Sequence, residues 1–205
     1  MRAAGSNDRP STATSMSLVD RVQADDDAAW QRLVDLYGPL IFSWGCRGGL
    51  SGEDAADVMQ EVFASVAQAI ERFDPNAAGR FRGWLWTITR NKIRDHHRRA
   101  SPQAAARGGD TALRELAQLP QQWDDHASDA TRNDVRSLYH RALELIRQDF
   151  QPQTWQALWL SVVEERPSDE IAGRLGLTAN SVRQAKSRVL RRLRTEVGDR
   201  EEGPW

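Results

Sequence analysis

Apolar residues recur every third or fourth position along almost the whole chain, as in Leu33, Val34, Tyr37 and Ile41 or Val58, Val62 and Val66, with no sustained two-residue alternation. A face repeated at that interval is buried by a helix and not by a strand, so the spacing predicts an all-α fold. A length of 205 residues allows one domain or two. Composition shifts and breaks along the chain favour two small helical domains joined by a flexible linker. On this reading residues 1–17 are a disordered tail, 18–99 the first domain, 100–133 the linker, 134–197 the second domain and 198–205 a short tail.

The first helix is expected to start near Asp25, Asp26 and Asp27, whose charges suit a helix N-terminus, and to bury Trp30, Leu33, Val34, Tyr37, Ile41 and Trp44. Pro39 is expected to kink it or to split it. Gly48 and Gly49 break the chain, and Ser51 with Asp54 makes a capping-box-like start for a second helix. That helix buries Val58, Val62, Val66, Ile70 and Phe73, and its other side presents Asp57, Gln60 and Glu61 to a partner. A turn over residues 74–80 leads into a third helix. Residues 100–133 are turn-rich, with Leu113, Leu116 and Leu119 as a short helical patch, and helical spacing resumes at Asp134. A short helix over 168–175, the sequence Gly176-Leu177-Thr178 and a long basic helix from Ala179 then form the pattern of a helix-turn-helix.

The net charge of -1 conceals its distribution. Residues 80–99 hold seven Lys or Arg against Asp95 alone, and residues 178–200 hold seven against Glu196 and Asp199. Residues 51–74 carry six acids against Arg72, and residues 100–134 carry six against three arginines. Two basic helices therefore alternate with acidic segments. No apolar run approaches the length of a membrane span, and the N-terminal residues lack the apolar core of a secretory signal, which places the protein in the cytoplasm. The single cysteine, Cys46, excludes an internal disulfide and a multi-cysteine metal site, and its expected role is packing. With neither a Gly-rich phosphate loop nor a nucleophile-base constellation, the chain reads as a non-enzyme that needs no cofactor.

In the C-terminal unit, Ile171, Ala172, Leu175, Val182, Val189 and Leu193 would face inward. Thr178, Asn180, Ser181, Arg183, Gln184 and Ser187 occupy the first turns of the long helix, where side chains reach base edges; Arg188 and Arg191 lie further along, where phosphates pass. A solvated basic helix in a bundle would show the same charge. In the first basic block, Phe81 to Asn91 interleaves aromatics with cations, a composition suited to unpaired DNA, with bases stacked on rings and phosphates paired with arginine. Trp84 and Leu85 read as core, which leaves Trp86 as the stacking candidate beside Arg80, Arg82, Arg90, Asn91, Arg94 and Arg98. The adjacent His96 and His97 point about 100° apart on a helix, are poorly placed to share a metal, and are expected to face solvent or phosphate.

The stretch from Asp54 to Phe63, then Phe73-Asp74, then Phe81 to Asp95, resembles region 2 of the extracytoplasmic-function (ECF) sigma factors, and Asp169 to Ala172 through Ser181-Val182 to Arg194 resembles their region 4. The resemblance implies an alternative sigma factor that binds core RNA polymerase, recognises the -10 and -35 promoter elements and promotes melting. Asp57, Gln60 and Glu61 would dock on the clamp helices of the largest catalytic subunit, with the flap of the second largest as a further contact. Residues 76–98 would hold the -10 element and a flipped base, and the helix-turn-helix would read the -35 duplex. Asp124, Asp125 and Asp129 resemble the family's acidic linker toward the RNA exit channel, a role to set beside that of a plain tether. An anti-sigma factor is a further partner the family allows. The chain departs from the usual pattern after Val182, where Arg183, Gln184 and Ala185 replace a basic residue followed by Ser-Arg, so the -35 sequence it reads stays open. The main alternative is a helix-turn-helix regulator acting without polymerase, which would need a dimer interface or ligand domain.

Overall fold

A computed structural model describes residues 17–74, 81–100 and 128–198, with Ala100 described by its backbone only. Among them are eight α-helices and no strand. Residues 1–16 of the expected tail, 75–80 of the expected turn at 74–80, 101–127 of the linker and 199–205 of the chain end lie outside the described residues.

Helix α1 (Leu18–Gln23) begins with a full capping box, in which Ser17 Oγ accepts from the Asp20 N–H and Asp20 accepts from the Ser17 N–H. Periodicity over so few residues gives no signal, and sequence reasoning assigned no helix there. Helix α2 (Asp27–Arg47) is capped by Asp26, which accepts from the Ala29 N–H. The hydrogen bond from Arg21 holds the Asp26 carboxyl below its ordinary pKa, so the stability this cap contributes is full above the ordinary carboxylate range and is lost as pH falls from there through the lowered value.

Helix α2 runs on through Pro39, so of the two expected outcomes, a kink or a split, the split does not occur. An interior proline costs about 3 kcal/mol, and the burial of Leu33, Leu36, Tyr37, Leu40, Ile41 and Trp44 on either side outweighs it. Cys46, expected to pack, is exposed, because the buried stripe passes through Trp44 and Gly45. Beyond the helix, a Cβ on Gly48 would lie 2.9 Å from Ile93, so only glycine lets the chain pass that close.

Helix α3 (Gly52–Ala69) starts at the Ser51 cap and buries Ala55, Val58, Val62, Phe63 and Val66, then tightens into a 3-10 turn over Ile70–Arg72. Helix α4 (Phe81–Ala100) packs on α2 and α3. Rings lock this domain: Trp44 meets Trp86 edge-on at 5.0 Å, Phe73 meets Phe81 at 5.5 Å, and Tyr37 meets Phe81 at 5.1 Å.

The second unit opens with α5 (Asp129–Ile146), five residues earlier than the expected Asp134, because Ser128 caps it through the Thr131 N–H. Asp129 thus belongs to the helix and not to the linker. A 3-10 turn (Arg147–Asp149) leads into α6 (Pro152–Val162), where proline at the first position costs no hydrogen bond. Helix α7 (Ser168–Leu175) ends at Gly176 with φ of 65°, a left-handed cap, and Thr178 caps α8 (Ala179–Val197) through the Ser181 N–H at 3.1 Å. Ala157, Leu160, Ile171, Ala172, Val182 and Ala185 form a small core of their own. The later half of α8, through Val189, Leu193 and Val197, joins α5 and the first domain in a single larger core. The two helical units are therefore packed together.

Candidate nucleic-acid interface

Burial of Val182, Ala185, Val189 and Leu193 fixes which way α8 faces. Asn180, Arg183, Gln184, Ser187, Arg188 and Arg191 then fall at intervals of three and four on the opposite side, and all six are exposed. An exposed polar stripe on the second helix of a helix-turn-helix has the shape of a major-groove reader. Thr178 and Ser181 were expected beside them. Their hydroxyls bond each other at 2.9 Å within the cap and set the start of α8, with Thr178 exposed and Ser181 half-buried.

The residues expected at melted DNA divide by burial. Asn91, Arg94 and Arg98 form an exposed stripe on α4, with Arg98 3.1 Å from Asp95, and Arg90 is half-buried beside them. Arg80 lies outside the described residues. Trp86 is corrected to a core residue: it is 1% exposed and packs on Trp44, so no base can stack on it. Its place was readable from spacing, since Arg82, Trp86, Thr89, Ile93 and His97 follow a helical repeat and all are buried. Arg82 is also 1% exposed, with its guanidinium 5.6 Å from the centre of the Tyr139 ring of α5. His97, expected at solvent or phosphate, is buried and its Nε2 lies 2.7 Å from the Gly48 carbonyl, where it closes the end of α2. His96 stands 3.5 Å from Asp54.

Asp57 and Gln60 project freely from α3. Glu61 is committed elsewhere, since Arg99 of α4 donates to both its oxygens at 2.9 and 3.1 Å, with Lys92 at 3.8 Å. The acidic and basic segments seen in the sequence thus meet, and part of each serves the other. Sequence reasoning missed the outer face of α6, where Trp159 is 44% and Val163 56% exposed four residues apart. Among the described residues no cluster of acids, histidines or cysteine could hold a metal ion, and no helix is long and apolar enough to cross a membrane.

These features have the form of a DNA-binding protein, a helix-turn-helix with an exposed polar stripe and a second basic helix backed by an acidic one. Comparison with known proteins agrees. Residues 33–103 match Sigma-70 region 2, and residues 151–193 match Sigma-70, region 4. The chain is 28% identical over 189 residues to the ECF RNA polymerase sigma factor SigD of Mycobacterium tuberculosis, covering 88% of this chain and 82% of that one. It is 28% identical over 185 residues to the RNA polymerase sigma factor CarQ of Myxococcus xanthus, covering 89% and 97%. It is 25% identical over 177 residues to the RNA polymerase sigma-H factor of Pseudomonas aeruginosa, covering 85% and 87%. The chain belongs to the sigma-70 family, in its ECF class. As such it is an alternative sigma factor, a partner of core RNA polymerase and of promoter DNA.

Proposed function

We propose that the two units divide promoter recognition between them. The exposed stripe of α8 reads the -35 element as duplex, with Asn180, Arg183, Gln184 and Ser187 at base edges and Arg188 and Arg191 at phosphates. Asn91, Arg94 and Arg98, with Arg90, hold the -10 strand along α4 as it melts. Asp57 and Gln60 dock on the clamp helices of the polymerase, and the bare Trp159 and Val163 of α6 meet the flap. The nucleotide chemistry belongs to the polymerase, and the chain supplies position and strand separation.

The observation that carries this reading is the alignment of six exposed polar side chains on one face of a helix whose other face is core. Replacing Arg183 with Ala, or Gln184 with Ala, is expected to change the preferred -35 bases by about 1–3 kcal/mol per contact, roughly ten- to a hundredfold, at one or two positions. Transcription from a set of -35 variants measures the change, with core affinity unaltered. An equal loss on every -35 sequence would assign both residues to phosphate and overturn their part in base reading.

A further inference from the structure

Helix α1 is too short to be stable alone, and it belongs to neither the DNA-reading nor the polymerase-docking surface. Its last residue, Gln23, is half-buried and reaches across to the end of α3. The Gln23 amide nitrogen donates to the Ile70 carbonyl at 2.8 Å and to the Phe73 carbonyl at 2.9 Å, 47 and 50 residues further along the chain. These carbonyls bracket the 3-10 turn that closes α3, and Ile70 also accepts from the Phe73 N–H at 3.0 Å. A side-chain amide has two N–H donors, and both are spent on this one turn. Leu18, Val19 and Val22 supply the apolar packing of α1, so what Gln23 adds is donors.

The turn held in this way carries the ring on which α4 starts. Phe73 is buried, 4.9 Å from Trp84 and 5.5 Å from Phe81, and those two rings lie 5.6 Å apart. Together they anchor the first turn of α4. A second anchor lies further on, where Ile93 packs against Gly48 and His97 Nε2 lies 2.7 Å from the Gly48 carbonyl. Between the two anchors α4 carries Arg90 and Asn91, and Arg90 is about 9 Å beyond Trp84 at 1.5 Å per residue. Arg94 and Arg98 sit at the second anchor. The Nε of Arg90 is buried without a hydrogen-bond partner among the described residues, so its direction follows the lie of α4 and not a neighbouring acceptor. A helix pinned at both ends has one orientation. Freed at the first anchor, it would move Arg90 and Asn91 and leave Arg98 in place.

We propose that Gln23 is a positioning residue for the -10 strand: through the Ile70 and Phe73 carbonyls it fixes the rings at the start of α4, and through them the aim of Arg90 and Asn91. The proposal rests on the reading of α4 as the strand-holding helix. It gives α1 a part in promoter recognition without any contact to DNA. The chemistry of the position is selective, because both partners are acceptors. Methionine would fill the same length with no donor, glutamate would set a carboxylate against two carbonyls, and lysine would bring three donors.

Anisotropy of a labelled oligothymidine of roughly 20 nucleotides, mixed with the full chain, reads strand affinity. Gln23→Met is expected to weaken it about tenfold, equivalent to about 1.4 kcal/mol. Gln23→Lys should stay within about threefold of the starting chain, since an ammonium can serve both carbonyls. Thermal melts check that each variant is folded. Joined to Arg90→Ala, Gln23→Met should cost no more than about twofold further, whereas joined to Arg98→Ala it should keep its full effect. Should Gln23→Met fail to fold, Gln23→Glu removes the donors at the same length and carries the same comparisons. Unaltered affinity in a folded Gln23→Met chain, a lysine variant as weak as the methionine one, or full additivity with Arg90→Ala would each overturn the assignment. If Arg90→Ala and Arg98→Ala themselves change nothing, the strand-holding reading of α4 fails and takes the proposal with it. If both weaken binding and Gln23→Met does not, that reading stands and the role of Gln23 falls alone.

Discussion

Replacing Trp86 with phenylalanine is expected to leave promoter binding within about twofold, whereas Trp86→Ala should lower the unfolding free energy by about 3–5 kcal/mol. The ring is 1% exposed and meets Trp44, itself fully buried, at 5.0 Å and 76°, so it fills core volume that neither solvent nor DNA can reach. Phenylalanine keeps an aromatic edge against Trp44, while alanine leaves a cavity that the surrounding helices close only in part. Against a total stability of about 5–15 kcal/mol, the alanine variant gives up a large fraction. Its thermal midpoint should fall by roughly 10 °C in a melt followed by circular dichroism. Loss of DNA binding in a phenylalanine variant that melts normally would return Trp86 to the interface.

The second large effect is expected at Glu196. This carboxylate is 1% exposed, receives a bond from Arg192 at 2.5 Å and pairs with Arg32 of α2. Removing it by Glu196→Ala leaves Arg32 facing a space with no opposite charge, while Arg192 keeps its pair with Asp149 at 3.0 Å. A buried pair broken on one side costs about 3–5 kcal/mol, and the residual water contact of both arginines reduces this to about 2–4 kcal/mol. Exchanging both partners for apolar residues, as Arg32→Met with Glu196→Leu, should recover most of the loss, because no unpaired charge then remains. Denaturant unfolding of the single and double variants measures the difference. A single variant as stable as the starting chain would show that the carboxylate contributes nothing net.

The sequence was most legible where one helix carried the whole message. In α8 the apolar positions Val182, Val189 and Leu193 fixed the buried face, so the polar stripe opposite could be read without any other part of the chain. The same held for the inner face of α3. The first basic helix misled at Trp86 because cations and aromatics interleave both in a DNA-stacking surface and in a helix whose core stripe is aromatic. Spacing from Ile93 would have decided for the core. His97 was misplaced for a related reason, since its partner is the Gly48 carbonyl on another helix end, 49 residues away. Glu61 read as free because Arg99, which holds it, is 38 residues distant. The packing of α5 on α2 was not legible at all. Its bonds join residues about a hundred positions apart, such as Arg141 with Leu36, and no local propensity encodes such a pairing.

The account rests on promoter-directed initiation, and one measurement addresses it directly. Purified chain is mixed with core RNA polymerase lacking any other sigma factor, and run-off transcripts are mapped on promoters captured after overproduction of the protein. The expected result is transcripts with a defined start that require the chain, and that fall on single-base changes in either the -10 or the -35 element. Core binding without specific starts, or binding to promoter DNA that never engages core polymerase, would contradict it.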